Sequence, residues 1–248
     1  MTVRVLNGDC RDVLRTLPAG SADACITDPP YGDTSLEWDR KCAGWLPEIA
    51  RVLRPTSSLW VFGSLRFLVP LIAEAEQVGF GMAQDIVWEK QNGTGFHADR
   101  FRRVHEHAVH LYRGRWSDLY KAPQFTPDAV ARAVRRKRRP THLGHIEAGA
   151  YVSEDGGPRL MRSVLAVRNE HGRAVHPTQK PIGIVEPLIL YSVPPGGLLI
   201  DPFAGSGTMG MAAKRNARDA ILIELNPEYA VMARRRVTDD APLFAEIA

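Results

Sequence analysis

Along this chain, short apolar runs alternate with stretches of helical spacing, and that alternation narrows the fold more than any other feature. In the first half VRVLN, ADACIT, SSLWVFGS, MAQDIVWEK and HEHAVHLY have the pattern of strands, while CRDVLRT, residues 43–53 (AGWLPEIARVL) and FLVPLIAEAEQVGF have that of helices. Toward the end GIVEPLILYSV, TMGMAAKRN and PEYAVMARRR read as helices placed around the strands GGLLID and ARDAILIE. Strands this apolar, alternating with helices, predict an α/β fold with a mostly parallel sheet covered on both faces. Pro70 is expected near the start of its helix, where a missing N–H does little harm. Asn226 is placed to cap the last helix, with Pro227 at its first position. The rhythm fails between residues 113 and 170, which hold RRKRRP, further prolines and EDGGP. That stretch is predicted to be an inserted, loop-rich region between 1–112 and 171–248.

Two loops stand at the ends of predicted strands. The first is DPPYG, Asp28 to Gly32. Adjacent prolines cannot continue a helix and donate no backbone hydrogen bonds, so this loop is stiff, with a carboxylate and an aromatic ring at its mouth. The second is DPFAGSGT, Asp201 to Thr208, in which Gly205 and Gly207 precede a helix and let the backbone turn sharply against a ligand. Glu224 follows Gly205 by 19 residues, at the end of the next strand, where a carboxylate accepts from ribose hydroxyls. Gly205, Gly207 and Gly210 fall at G-x-G-x-x-G spacing, but no G-K-[ST] follows. The order of strand, glycine loop, helix, strand and acid therefore favours a nucleoside-bearing ligand, and the missing lysine disfavours a polyphosphate cradled as in a P-loop.

DPPYG early and DPFAGSGT late, with NGDC at 7–10, HPTQKP at 176–181 and IELNPEY at 223–229, resemble the S-adenosylmethionine-dependent amino-methyltransferases of DNA. The order, acceptor loop first and cofactor loop last, is similar to the beta arrangement of the adenine-N6 and cytosine-N4 enzymes. The resemblance spans roughly residues 3–112 and 174–236. It implies a Rossmann-like methyltransferase fold with permuted motif order and an inserted target-recognition region. On this reading 1–112 with 171–248 form the catalytic and cofactor-binding domain, and 113–170 the DNA-recognition insert.

The resemblance also implies roles. The Asp28 carboxylate and the Pro29 carbonyl accept from the target amino group, Pro30 stiffens the loop, and Tyr31 stacks on a flipped base. Asp201, Pro202, Phe203, Ala204, Gly205, Ser206, Gly207 and Thr208 surround the methionine and ribose parts of S-adenosylmethionine. Glu224, with Leu225 and Asn226, holds the ribose, and Asp9 and Cys10 lie near the adenine. His176, Thr178 and Lys180 line the cleft on the methionine side, and Phe62 and Ser64 lie near the pocket.

The chemistry suits these groups. An exocyclic amine is a poor nucleophile because its lone pair is drawn into the ring. Two acceptors that hold both N–H bonds bias the nitrogen toward a tetrahedral shape, and the rest is orientation and electrostatics. The base must leave the duplex, at a cost of a few kcal/mol. A cytosine-C5 reaction needs a thiolate, and no Pro-Cys pair occurs. The DPPY form favours adenine, with cytosine-N4 the alternative. A glutamine-N5 protein methyltransferase would place the cofactor loop first, and a binding protein without catalysis would have lost one of the loops. RNA remains open as a substrate.

From Asp99 to His142 there are twelve Lys/Arg and four Asp/Glu. Arg132, Arg135, Arg136, Lys137, Arg138 and Arg139 are expected to meet DNA phosphates, in a chain of net charge +4 and pI about 9.1. Gln124, Arg132 and His142 are the candidates for reading bases. His105, His107 and His110 lack a carboxylate partner in a credible set, and no metal is expected. Cys10, Cys25 and Cys42 form no CxxC pair and read as buried thiols in a reducing cytoplasm. The start has no signal-peptide pattern, and no run reaches the roughly 20 apolar residues of a membrane span. The resemblance leaves a homodimer and a companion restriction nuclease open.

Overall fold

The computed structural model describes residues 1–32, 36, 39–94, 98–136, 149–170 and 179–240. The first half runs β1 (Val3–Asn7), α1 (Cys10–Thr16), β2 (Ala22–Thr27), α2 (Leu46–Val52), β3 (Leu53–Gly63), α3 (Leu65–Gln77), β4 (Gly81–Thr94) and β5 (Arg103–Tyr112). Four short strands follow: β6 (Phe125–Thr126), β7 (Arg132–Arg136), β8 (Gly149–Ser153) and β9 (Arg159–Leu160). The chain continues through β10 (Val164–Ala166), α4 (Ile182–Ser192), β11 (Leu198–Asp201), α5 (Thr208–Arg215), β12 (Asp219–Glu224) and α6 (Pro227–Asp239).

Eight strands form one sheet in the order β1-β12-β11-β2-β3-β5-β4-β10. The pairs from β1 to β3 are parallel, as is β10 with β4, whereas β5 runs antiparallel to both neighbours. This is the mostly parallel sheet the alternation predicts, in the Rossmann-like form the resemblance implies. Its two faces can be read directly from residue parity. Cys25, Leu59, Val61, Val109, Ile200 and Ile221 face α1, α2 and α3. Their neighbours Ala24, Ile26, Trp60, Phe62, Ala108, Leu199 and Leu222 face the other way, toward α4 and α5.

Local chemistry sets the helix ends. Asp9 caps α1 by accepting from the Arg11 N–H, and Asn226 caps α6 by accepting from Glu228 and Tyr229. Helix α2 starts later than the spacing suggests, at Leu46, because Pro47 suits the first turn. Strand β3 correspondingly starts at Leu53, well before SSLWVFGS. Pro70 lies inside α3 rather than at its start. The hydrogen bond it denies the Arg66 carbonyl is offset by burial of Phe67, Leu68, Leu71 and Ala75. Cys10 and Cys25 are buried, but Cys42 is only half-buried. Among the described residues no helix is long and apolar enough to cross a membrane.

The chain divides into two compact units, Met1–Ala122 with Ser163–Ala248, and Pro123–Arg162. The predicted insert ran from 113 to 170; residues 113–122 and 163–170 group with the large unit, where β10 adds a strand to the sheet edge. The small unit consists of two antiparallel ladders, β6 with β9 and β7 with β8. Asp155 accepts from the Ala131 N–H at 2.7 Å and Ser153 donates to the Val130 carbonyl at 2.7 Å, which ties the turns.

Candidate active site

Strands β2 and β11 are parallel neighbours, with Ala24 opposite Leu199 and Cys25 opposite Ile200. Their carboxyl ends therefore deliver the two predicted loops side by side, the usual place for a ligand in an α/β sheet. A buried hydrogen bond joins them: Thr27 Oγ1 donates to Asp201 Oδ1 at 2.7 Å. Above this bond opens a cavity of about 490 Å³, within the range of small-molecule sites.

The cavity is lined by Asp28 and Pro30 from the first loop and by Asp201, Pro202, Phe203, Ala204, Gly205, Ser206 and Thr208 from the second. Asp9 and Cys10 enter from the head of α1, Lys180 from the approach to α4, and Glu224, Leu225 and Asn226 from the end of β12. Residues 1–32 and 179–226 thus converge on one space. Arg40, Cys42, Met209 and Tyr229 also line it and were not among the residues expected in the site.

Some expected residues lie elsewhere. Pro29 is buried and does not line the cavity. Gly207 is behind the lining; it caps α5 at φ 80°, and a Cβ there would sit 3.0 Å from that of Ala233 in α6. Glycine is therefore needed at 207 for both its dihedral and its packing. The Tyr31 ring does not line the cavity either. It packs on Phe67 with centroids 5.2 Å apart, and its hydroxyl donates to Asp28 Oδ1. Phe62 is fully buried beneath Lys180, whose Nζ lies 5.4 Å from the ring centroid. Ser64 sits at the N-cap of α3. His176 and Thr178 lie outside the described residues.

The cofactor-side carboxylates are anchored by backbone. Glu224 Oε2 accepts from the Gly205 N–H at 2.8 Å, and Oε1 accepts from the Asn226 N–H at 2.9 Å. Burial raises its carboxyl above the usual range. Asp201 also accepts from the Phe203 N–H at 3.1 Å, and burial pushes it up to about 7. Asp9 is different: hydrogen bonds from Arg11 hold it at about 2.

Asp28 is the centre of a buried charge set. Lys180 Nζ donates to Asp28 Oδ2 and lies 3.3 Å from Glu106 Oε2, while Lys90 Nζ donates to Glu106 Oε1. The four side chains are between 6% and 16% exposed, so solvent does little to screen them. Burial drives the Asp28 carboxyl up despite the downward pull of Lys180. Burial also pushes Glu106 up, but the Lys180 and Lys90 ammoniums outweigh it and hold that carboxyl at about 2. Lys180 stays charged: burial favours the neutral amine, and the two carboxylates overcome it.

Glu106 and Lys90 escaped the sequence reading, although the signal was present. Glu106 shares strand parity with buried Ala108 and His110, and Lys90 shares parity with buried Ile86 and Trp88. A charge on the core-facing side of a strand needs a partner.

Among the described residues no group of His, Cys, Asp and Glu is placed to hold a metal ion. His110 is buried, stacked on Trp60 at 4.3 Å and bonded to Ser58 Oγ at 2.9 Å, and burial lowers it to about 3. Of the basic residues in the small unit, Arg132 is exposed on β7, which also carries Arg135 and Arg136. Gln124 accepts the Met161 N–H through its backbone carbonyl. Lys137, Arg138, Arg139 and His142 lie outside the described residues.

The cavity is rich in carboxylates, has apolar walls from Phe203, Leu225 and Met209, and has no glycine-rich loop followed by a phosphate-binding lysine. Such a donor set fits a cationic, nucleoside-bearing ligand better than a polyphosphate.

A family described as "DNA methylase" (N6_N4_Mtase) matches the chain over residues 22–235. Type II methyltransferase M.HinfI of Haemophilus influenzae is 28% identical over 264 residues, covering 96% of this chain and 69% of that protein. The crystal structure of the M1.HpyAVI–SAM complex superposes with a TM-score of 0.65 at 24% identity, covering 95% of this chain and 100% of the other. The PvuII DNA methyltransferase (cytosine-N4-specific) gives 0.65 at 17% identity, over 97% and 91%. These structural likenesses establish the fold.

Proposed function

The chain belongs to the DNA methylase family that matches it over residues 22–235, and we propose that this S-adenosylmethionine-dependent DNA methyltransferase modifies the exocyclic N6 of adenine in duplex DNA. One observation supports the reading above the others: Asp28 and the Gly205–Glu224 pair line a single cavity. Glu224, Asp9 and Asp201 are suited to hold S-adenosylmethionine by its hydroxyls and positive charges, with Phe203 and Leu225 as apolar walls. When bound, it supplies an electrophilic methyl group on a sulfonium, which departs as a neutral thioether as the amine nitrogen gains the methyl and loses a proton.

The chain's own groups do the remaining work. Asp28 accepts an N–H of the target amine and, as the nitrogen becomes cationic, takes its proton. Its upward-shifted carboxyl suits that task. The Pro29 carbonyl is proposed as the second acceptor. Tyr31 is proposed to stack on the flipped base; in this structure its ring lies against Phe67, so stacking requires the ring to turn. The basic residues of the small unit, Arg132, Arg135 and Arg136 with Lys137 to Arg139, are proposed to contact phosphates.

The DPPY form of the loop favours adenine. The geometry alone would serve cytosine-N4 equally, since both bases carry an exocyclic amine. Labelled S-adenosylmethionine, incubated with the protein and mixed duplex DNA that is then digested to nucleosides, separates the two. N6-methyladenine is expected. Label in N4-methylcytosine removes the adenine assignment, and label on protein alone removes the DNA assignment.

Asp201 makes the cofactor's effect depend on pH. Its folded pKa, about 7, is above the unfolded value of 3.8. Between these values the folded state holds a proton that the unfolded state releases, so stability falls as pH rises through the window. Burial of Asp28 and Glu224 acts in the same direction. A cation bound beside these groups favours their ionised forms. The rise in melting temperature on adding S-adenosylmethionine should therefore be larger at pH 8 than at pH 6, with the difference reduced in Asp201→Asn. An equal rise at both pH values would exclude Asp201 from binding the cofactor's charge.

A further inference from the structure

We propose that Glu106 is a positioning residue that draws Lys180 off Asp28 when the target amine enters, freeing the acceptor oxygen. This rests on the amine-acceptor reading of Asp28. Both Asp28 oxygens are already engaged, Oδ1 by the Tyr31 hydroxyl and Oδ2 by the Lys180 ammonium. An incoming neutral N–H competes poorly with a charge-assisted bond. Lys180 could not simply leave, because an unpaired ammonium in a buried wall is strongly unfavourable.

Glu106 supplies the alternative partner. Its Oε2 is buried, lies 3.3 Å from Lys180 Nζ, and makes no hydrogen bond among the described residues. A buried carboxylate oxygen that meets an ammonium only at ion-pair distance has room to take a closer bond from it. The other oxygen is fixed by Lys90, whose ammonium lies 4.5 Å from the centroid of the Trp88 ring. Glu106 is thus held at one end and open toward Lys180 at the other. The Lys180 ammonium lies 5.7 Å from the Tyr31 ring centroid and 5.4 Å from that of Phe62, and an aromatic face tolerates a cation that slides. The two carboxylates are also driven apart: burial raises Asp28, whereas two ammoniums keep Glu106 ionised. Asp28 is the one that takes a proton, and Glu106 remains the counter-charge.

The test is the single-turnover rate of label transfer from S-adenosylmethionine to duplex DNA, with cofactor affinity measured alongside. Glu106→Gln keeps the shape and removes the charge; the rate should fall about tenfold with cofactor affinity within about twofold of the parent. Glu106→Asp should recover at least about a third of the parental rate. Because Glu106 acts through Lys180, adding Glu106→Gln to Lys180→Gln should cost nothing further. A Glu106→Gln rate within about twofold of the parent overturns the proposal, as does a full tenfold loss in the Lys180→Gln background. If Glu106→Gln does not fold, Glu106→Asp carries the same comparison: slower than the parent with Lys180 present, and without effect once Lys180 is Gln. A parent protein that methylates no exocyclic amine overturns the Asp28 reading itself. An active parent indifferent to Glu106 overturns only the role of Glu106.

Discussion

Asp28→Ala should stop methyl transfer, lowering the single-turnover rate by at least about 10³-fold, or about 4 kcal/mol of transition-state stabilisation. The substitution removes the proposed acceptor for the amine N–H and the base that takes its proton. Cofactor affinity should stay within a few fold of the parent, because Glu224, Asp9 and Asp201 reach the cavity from other elements. The fold should also survive. Removing one member of a buried ion pair often costs about 3–5 kcal/mol by leaving a bare charge. Here Lys180 retains Glu106 Oε2 at 3.3 Å, so its ammonium is not abandoned. Asp28→Asn separates the two duties of the side chain. The amide oxygen can still accept an N–H, but it cannot take a proton, so a loss nearly as deep as in the Ala variant assigns most of the effect to proton acceptance. Filter-bound label under single-turnover conditions reads the rate, and calorimetry reads cofactor binding. Turnover near the parental level in Asp28→Ala would remove the amine-acceptor role.

The sheet could be read from the sequence because its strands are buried on both sides, so runs such as AILI and LWVF stay apolar at every position. The cavity could be read because backbone chemistry demands particular residues there. Gly207 has φ 80° and presses on Ala233, and Asp9 and Asn226 cap helices at its rim. Less could be read where partners are distant in sequence. Lys180 stands 152 residues from Asp28, and no local spacing announces the bond between them. Lys90 and Glu106 belong to none of the sequence motifs, and only strand parity marks them as inward-facing. Tyr31 shows a different limit: an aromatic beside a carboxylate suits both a stacking platform and a hydrogen-bond donor, and the structure displays the second. Pro70 shows that packing overrides propensity, since the apolar face of α3 keeps the helix running through a residue that disfavours it.

Glu224→Ala should weaken S-adenosylmethionine binding about 100-fold, or about 2.7 kcal/mol, by calorimetric titration. The carboxylate is proposed to hold the ribose hydroxyls, and it also holds the site together by accepting from the Gly205 and Asn226 N–H groups. Both functions end at once in the Ala variant. The glycine loop then loses the anchor at Gly205 and keeps the one at Ala204, whose N–H bonds the Ile223 carbonyl at 2.9 Å. Helix α6 should remain folded, since Asn226 Oδ1 still accepts from Glu228 at 2.8 Å and Tyr229 at 3.3 Å. Glu224→Gln should fall between the parent and the Ala variant. It keeps one acceptor oxygen for one backbone N–H but turns an amide donor toward the other, an unfavourable pairing. The kinetic form of the loss is the sharper check. Glu224 touches no part of the proposed amine site, so saturating cofactor should restore most of the transfer rate in Glu224→Ala. Asp28→Ala should stay slow at any cofactor concentration. A Glu224→Ala protein that binds cofactor like the parent would place the nucleoside elsewhere in the cavity. One that binds weakly and also stays slow at saturation would mean that the glycine loop and the acceptor loop are coupled through the Thr27–Asp201 bond.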